Sequence, residues 1–124
     1  MLSISLCRDT RRTAAACKDL GKIYGEEFYL YEAMNNDEIL ASVLFEVKSS
    51  LVEVVGYQGP GDDFGLFDGL LRAGLNYAGL HGIEAGRIPE AFRHENRALF
   101  AQLNYPPETV FNITNFFGKY KNCR

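Results

Sequence analysis

Three short runs in close succession constrain this chain more than any other feature. Phe28-Tyr29-Leu30-Tyr31-Glu32-Ala33, Ile39 to Val47 and Leu51 to Gly56 are rich in the aromatic and branched residues that strands favour. Only the turn signals Asn35-Asn36-Asp37 and Lys48-Ser49-Ser50 separate them, and connections that short join antiparallel neighbours. A three-strand meander is therefore expected in the first half. The period then changes. Tyr57-Gln58-Gly59-Pro60-Gly61-Asp62-Asp63 reads as a loop, and beyond it Phe67, Leu70, Leu71, Gly74, Leu75 and Ala78 recur at three- and four-residue steps. That spacing gives a helix one apolar face, with Gly79 and Gly82 to end it.

The flanking segments complete the order. Leu2 to Cys7 alternates apolar and polar residues, as a half-buried strand does. Asp9 or Thr10 can cap a helix that runs through Thr13, Ala16, Cys17 and Leu20 to Ile23, with Gly25 as its stop. Ile83 to Ile88 reads as a strand closed by Pro89, Arg97 to Leu103 as a brief helix stopped at Tyr105-Pro106-Pro107, and Val110 to Phe117 as a last strand. The expected order is β-α-β-β-β-α-β-α-β: an α/β (α+β) fold with a mixed central sheet and helices on both faces. No repeat or linker divides the 124 residues, so one domain is expected.

Charge and cysteine usage exclude several functions. With 13 Lys+Arg against 16 Asp+Glu, there is no clustered basic face for nucleic acid. No apolar run approaches the length of a membrane span, and Met1 to Cys7 lacks the basic start of a secretory signal. A cytoplasmic location is expected, with Cys7, Cys17 and Cys123 as reduced thiols; a Cys7–Cys123 meeting at the termini stays open. His81 and His94 are the only histidines, too few and too far apart for zinc. Ser49-Ser50 has no nucleophile elbow around it. Asn112-Ile113-Thr114 is read as strand sequence, and Phe111, Phe116, Phe117 and Tyr120 as core or dimer contacts. His81 fits a helix end where it satisfies carbonyls, and Arg93-His94-Glu95-Asn96-Arg97 a solvated helix start.

The order of elements resembles the GNAT N-acetyltransferase superfamily. Two segments carry the similarity: Gly65-Leu66-Phe67-Asp68-Gly69-Leu70-Leu71, against the family's G-x-G-x-x-L-L helix start, and Ala98-Leu99-Phe100-Ala101-Gln102-Leu103-Asn104-Tyr105, against its helix-to-strand corner. Gly82 falls where the family has the glycine before its next strand. The resemblance implies an acyl-CoA cofactor, acetyl-CoA in the first instance, whose pyrophosphate lies on a Q/R-x-x-G-x-G/A loop and the following helix N-terminus. Two registers fit that loop. In one, Gly65 is the first glycine, Asp62 replaces Gln/Arg and Phe67 replaces the second small residue. In the other, Gln58-Gly59-Pro60-Gly61 supplies Q-x-x-G and Asp63 takes the final small position.

Carried over residue by residue, the implied cofactor-binding set is Val54, Val55, Gly56, Gly61, Asp63, Phe64, Gly65, Leu66 and Asn96. Glu53 is the implied base, although strand alternation alone makes it an outward-facing residue. The family's proton-donating tyrosine matches Phe100, which has no hydroxyl, and its asparagine matches Arg93. Asp62 or Asp63 also reads as a helix N-cap. Two functions follow: an acyl-CoA-dependent N-acetyltransferase acting on a small-molecule or peptide amine, or a GNAT-like binding or assembly module without CoA. Either allows a homodimer.

Overall fold

The computed structural model describes residues 1–120. Its elements are β1 (Leu2–Leu6), α1 (Thr10–Asp19), β2 (Phe28–Asn35), β3 (Glu38–Lys48), β4 (Leu51–Gln58), α2 (Phe64–Leu80), β5 (Ala85–Arg87), α3 (Glu90–Glu95), α4 (Arg97–Phe100), β6 (Val110–Asn112) and α5 (Ile113–Lys119). The six strands form one mixed sheet in chain order, β1-β2-β3-β4-β5-β6. The β4–β5 pair is parallel and the others are antiparallel. Parallel neighbours need a long crossover, and α2 supplies it.

The meander lies where the sequence puts it. Asn36 and Ser49, at the two turns, both take positive φ, and strand pairing continues to the turn on each side. Side chains then alternate between two faces. Phe28, Leu30 and Leu44 pack with Ala16 and Cys17 of α1. On the other face Ala33, Ala41, Val43, Phe45, Val52 and Val54 pack under α2. With both faces covered, β3 is buried without a break from Ala41 to Phe45.

α2 presents Leu66, Phe67, Leu70, Leu71, Leu75 and Ala78 to the sheet, and each fully buried large side chain contributes roughly 1.5–3 kcal/mol. At Gly74 the helix backbone lies directly against the Phe45 ring, which a Cβ there would overlap. α1 is held partly by charge. Both carboxylate oxygens of Glu32, nearly inaccessible on β2, accept from Arg12, at 2.8 Å from Nε and 3.0 Å from Nη2.

β2 and β4 run two residues past the expected Ala33 and Gly56, so that Tyr57 and Gln58 are strand and not loop; four other boundaries differ from expectation, each for a local reason. α1 stops at Asp19 instead of running to Ile23, because Gly21 (φ +75°) turns the chain and the N–H of Lys22 donates to the Cys17 carbonyl. β5 is three residues long instead of six, since the N–H of Ile83 is drawn back to the Ala78 carbonyl. The helix expected from Arg97 to Leu103 is two short ones: α3 starts directly after Pro89, so Arg93, His94 and Glu95 are helical, and Asn96 joins it to α4. The strand expected through Phe117 ends at Asn112, whose side chain accepts from the N–H of Asn115 and starts α5. The Asn-x-Thr sequence is therefore a helix cap. The suggested Cys7–Cys123 meeting lies outside the described residues; Cys17 is buried and Cys7 half-buried, both as thiols. No helix among the described residues is long and apolar enough to cross a membrane.

Candidate acyl-transfer site

β4 and β5 pair at Leu51–Ala85, Val52–Gly86 and Glu53–Arg87, and the ladder ends there. From Val54 to Gln58, β4 keeps only β3 as a hydrogen-bonded strand neighbour. The free stretch is also distorted. Val54 faces Phe45 and Gly56 faces Leu44, so Val55 is an extra residue in the ladder, a bulge that breaks pairing and re-aims the backbone. Its effect is visible in the side chains. Val55 packs on the α1 side, and a Cβ on Gly56 would strike Leu20 from that same side. The predicted residues Val54, Val55 and Gly56 thus form one strand edge that lacks a partner strand.

Beyond that edge lies the loop to α2. The Tyr57 hydroxyl donates to the Pro60 carbonyl at 2.7 Å, closing the loop on itself. Burial, with Asp63 and Asp62 nearby, pushes this phenol up to about 12. Asp63 is the N-cap of α2: its carboxylate accepts from the N–H of Leu66 at 3.0 Å. The N–H of Phe67 bonds the Asp63 carbonyl. The N–H groups of Phe64 and Gly65 have no acceptor among the described residues. Neither Gly61 nor Gly65 is required by packing, since a Cβ at Gly61 would meet nothing within 4 Å and one at Gly65 only the Asp63 carboxylate at 3.8 Å. Neither has positive φ. Gln58, the first residue of the Q-x-x-G register, turns away and donates to Asp19 of α1 at 3.3 Å.

Glu53 sits at the foot of the free edge, on the α1 side, directly across from Glu46. It is mostly buried and held between two cations, Arg87 Nε at 3.2 Å and Lys48 Nζ at 3.4 Å. The outward strand residue of the sequence reading is thus a fixed carboxylate beside the point where the sheet opens.

The far wall is aromatic. Phe67 is fully buried, stacked on Phe92 with centroids 5.9 Å apart and edge-on to Phe100 and Tyr57. Phe100 meets Tyr105 edge-on in turn. The Tyr105 hydroxyl donates to Asp68 at 2.7 Å, beside the Arg72 guanidinium, and burial holds that phenol well above its usual value. It is therefore no substitute for the hydroxyl that Phe100 lacks. Arg93 donates to the carbonyls of Pro106 and Glu108, pinning the segment before β6. The Asn96 amide donates to the Phe92 carbonyl at 2.9 Å, within its own turn. The structure thus brings Glu53, the β4 edge and the α2 N-terminus along one line, while Asn96 is engaged locally. The sequence reading missed the filling of the α2–α3–α4 junction by Phe67, Phe92 and Phe100; α3, absent from the expected order, carries the middle ring.

Solved structures share this fold. The ribosomal-protein-S18-alanine N-acetyltransferase from Escherichia coli superposes with a TM-score of 0.65 at 18% identity, over 91% of this chain and 94% of that one. An acetyltransferase from Bacillus subtilis in complex with CoA gives 0.59 at 19%, over 82% and 74%. The fold is that of the GNAT N-acetyltransferases. An IAA acetyltransferase from Bacillus cereus also shares it, with 0.60 at 12% identity over 82% and 75%. No family profile matches the sequence, and no curated protein matches it. Within this fold β4 runs on past the end of β5, carries the bulge and leads through the loop into α2, while the side chains of the loop depart from the family's pattern.

The residues fit a CoA group. The unpaired β4 edge offers backbone partners for an extended arm with amides, and the open space at Gly61 and Gly65, beside two free N–H groups, offers a seat for a phosphate. The Asp63 carboxylate already holds the third N–H, so this seat is narrower and more acidic than the loop pattern implies.

Proposed function

We propose that the protein is a small GNAT-type acyltransferase that uses acyl-CoA, acetyl-CoA first, and passes the acyl group to an amine of a small molecule or peptide. One observation carries this reading: β4 loses its β5 partner after Glu53, and its bulged free edge leads into the N-terminus of α2. Val54, Val55 and Gly56 would pair with the arm of the cofactor, and Phe64, Gly65 and Gly61 would receive its phosphates. Bound there, the cofactor supplies an acyl thioester. Glu53, fixed by Lys48 and Arg87, would take the proton that the amine sheds. Phe100 offers none to the leaving sulfur.

A second reading, a GNAT-like binding or assembly module without CoA, is favoured by the Asp63 carboxylate on the helix end and by the rings that fill the α2–α3–α4 junction. Thermal unfolding with and without acetyl-CoA separates the two, with ATP as a polyanion control. A ligand at about 100 times its Kd adds roughly 2.7 kcal/mol, so the acyltransferase reading predicts a rise of several degrees with acetyl-CoA alone. No rise with either ligand supports the module.

A further inference from the structure

At the other end of α2 the sheet is incomplete, and a cavity opens there. β1 ends at Leu6, opposite Tyr31, so Phe28 and Tyr29 at the start of β2 have no strand beside them on that edge. The gap, about 400 Å³, is bounded by these two residues, the last turn of α2 and the segment after β1. α2 has 17 residues, which at 1.5 Å each sets this cavity roughly 25 Å along the helix from Asp63. It is separate from the acyl-transfer site and independent of the function proposed for it.

Its lining is aromatic, with Arg8 among its few charged residues. Tyr77 packs against Tyr29 at 4.8 Å and His81 at 4.2 Å between centroids. His81 Nδ1 lies 2.8 Å from the Tyr77 carbonyl, so Nδ1 carries the proton and Nε2 is left for another partner. The Tyr77 hydroxyl has no hydrogen bond among the described residues. Arg8 is distinctive: every other described arginine makes a side-chain hydrogen bond or ion pair, and Arg8 makes neither among the described residues. Glu26 is the one carboxylate on the lining.

We infer that this cavity binds a small aromatic carboxylate, its ring against Tyr77 and Tyr29 and its carboxylate on Arg8. Cavities of a few hundred Å³ with apolar walls and few polar groups are of the size and character that hold small molecules. An unpaired guanidinium at the edge selects a planar anion.

The test is an NMR titration of the protein with phenylacetate, following the His81 and Tyr77 ring signals, with benzylamine as the charge-reversed probe. Saturable shifts with phenylacetate at Kd on the order of 1 mM are expected. Arg8→Gln should weaken them about tenfold, and benzylamine should give none. Arg8 is exposed and holds no side-chain partner among the described residues, so the variant keeps its fold. Equal binding of benzylamine, an unchanged Kd in Arg8→Gln, or shifts that never saturate would each overturn the assignment.

Discussion

Asp63 shows how one side chain can serve the fold and oppose a ligand at once. As the N-cap of α2 it satisfies the N–H of Leu66, and Asp63→Ala should cost about 1 kcal/mol, read from denaturant unfolding. Asp63→Ser keeps a capping oxygen and removes the charge beside the proposed phosphate seat. Calorimetric titration should then show acetyl-CoA bound about fivefold more tightly at nearly unchanged stability, a gain of ~1 kcal/mol at high effective dielectric. An unchanged affinity would mean that the phosphates sit elsewhere. Glu53 is tested differently. Glu53→Gln should reduce acyl transfer by about 100-fold or more, with acetyl-CoA affinity retained, because proton removal and cofactor binding rest on different residues. Equal loss of affinity would instead make Glu53 a structural anchor for Lys48 and Arg87.

At the scale of elements, α2 organises both the core and the site, and at Gly74 its backbone lies directly against the Phe45 ring of β3. Gly74→Ala drives a methyl into the Phe45 ring and should destabilise the fold by about 1–3 kcal/mol, even though alanine is the better helix former. Adding Phe45→Leu should restore part of that loss in a double-mutant cycle; strict additivity would contradict the packing described. The meander and α2 were legible in the sequence because their periods are long and unmixed, and an N-cap at Asp62 or Asp63 because the residue type is specific; the structure selects Asp63. Resemblance to GNAT proteins had to come from element order, since both loop registers are incomplete. The rest was hidden for identifiable reasons. Pro89 looked like the end of a strand when it also begins α3. Asn112 reads as strand, and is the last residue of β6, but its side-chain Oδ1 also caps α5. The bulge at Val55 leaves no mark on a run of valines, so no pattern of alternation could show that Val55 and Gly56 lie on one side. The plugging rings come from α2, α3 and α4, and only tertiary packing brings them together.

For the whole molecule, several buried phenols make stability sensitive to alkali. Tyr29 and Tyr105 are held well above the ordinary phenol value by burial, and Tyr57 is pushed up to about 12. Below pH 10 both folded and unfolded chains keep these protons. Above it the unfolded chain releases them and the folded chain does not, so unfolding is favoured as pH rises from 10 towards the folded-state values. Burial raises the Cys17 thiol as well, which starts the same trend near pH 9. Melting temperature should therefore fall steeply between about pH 9 and 11. Absorbance titration of the seven tyrosines should show one class that ionises only as the fold is lost. A flat melting temperature across that range would contradict the burial of these groups.

The account as a whole turns on whether the free edge of β4 receives a thioester cofactor. Backbone amide NMR of the ¹⁵N-labelled protein, titrated with acetyl-CoA, reads this residue by residue. The account predicts saturable shifts concentrated at Val54, Val55 and Gly56 and at Gly61, Phe64 and Gly65, with little change at the His81 end of α2. A spectrum unmoved by saturating acetyl-CoA, or one that shifts elsewhere and leaves those six residues in place, would contradict it.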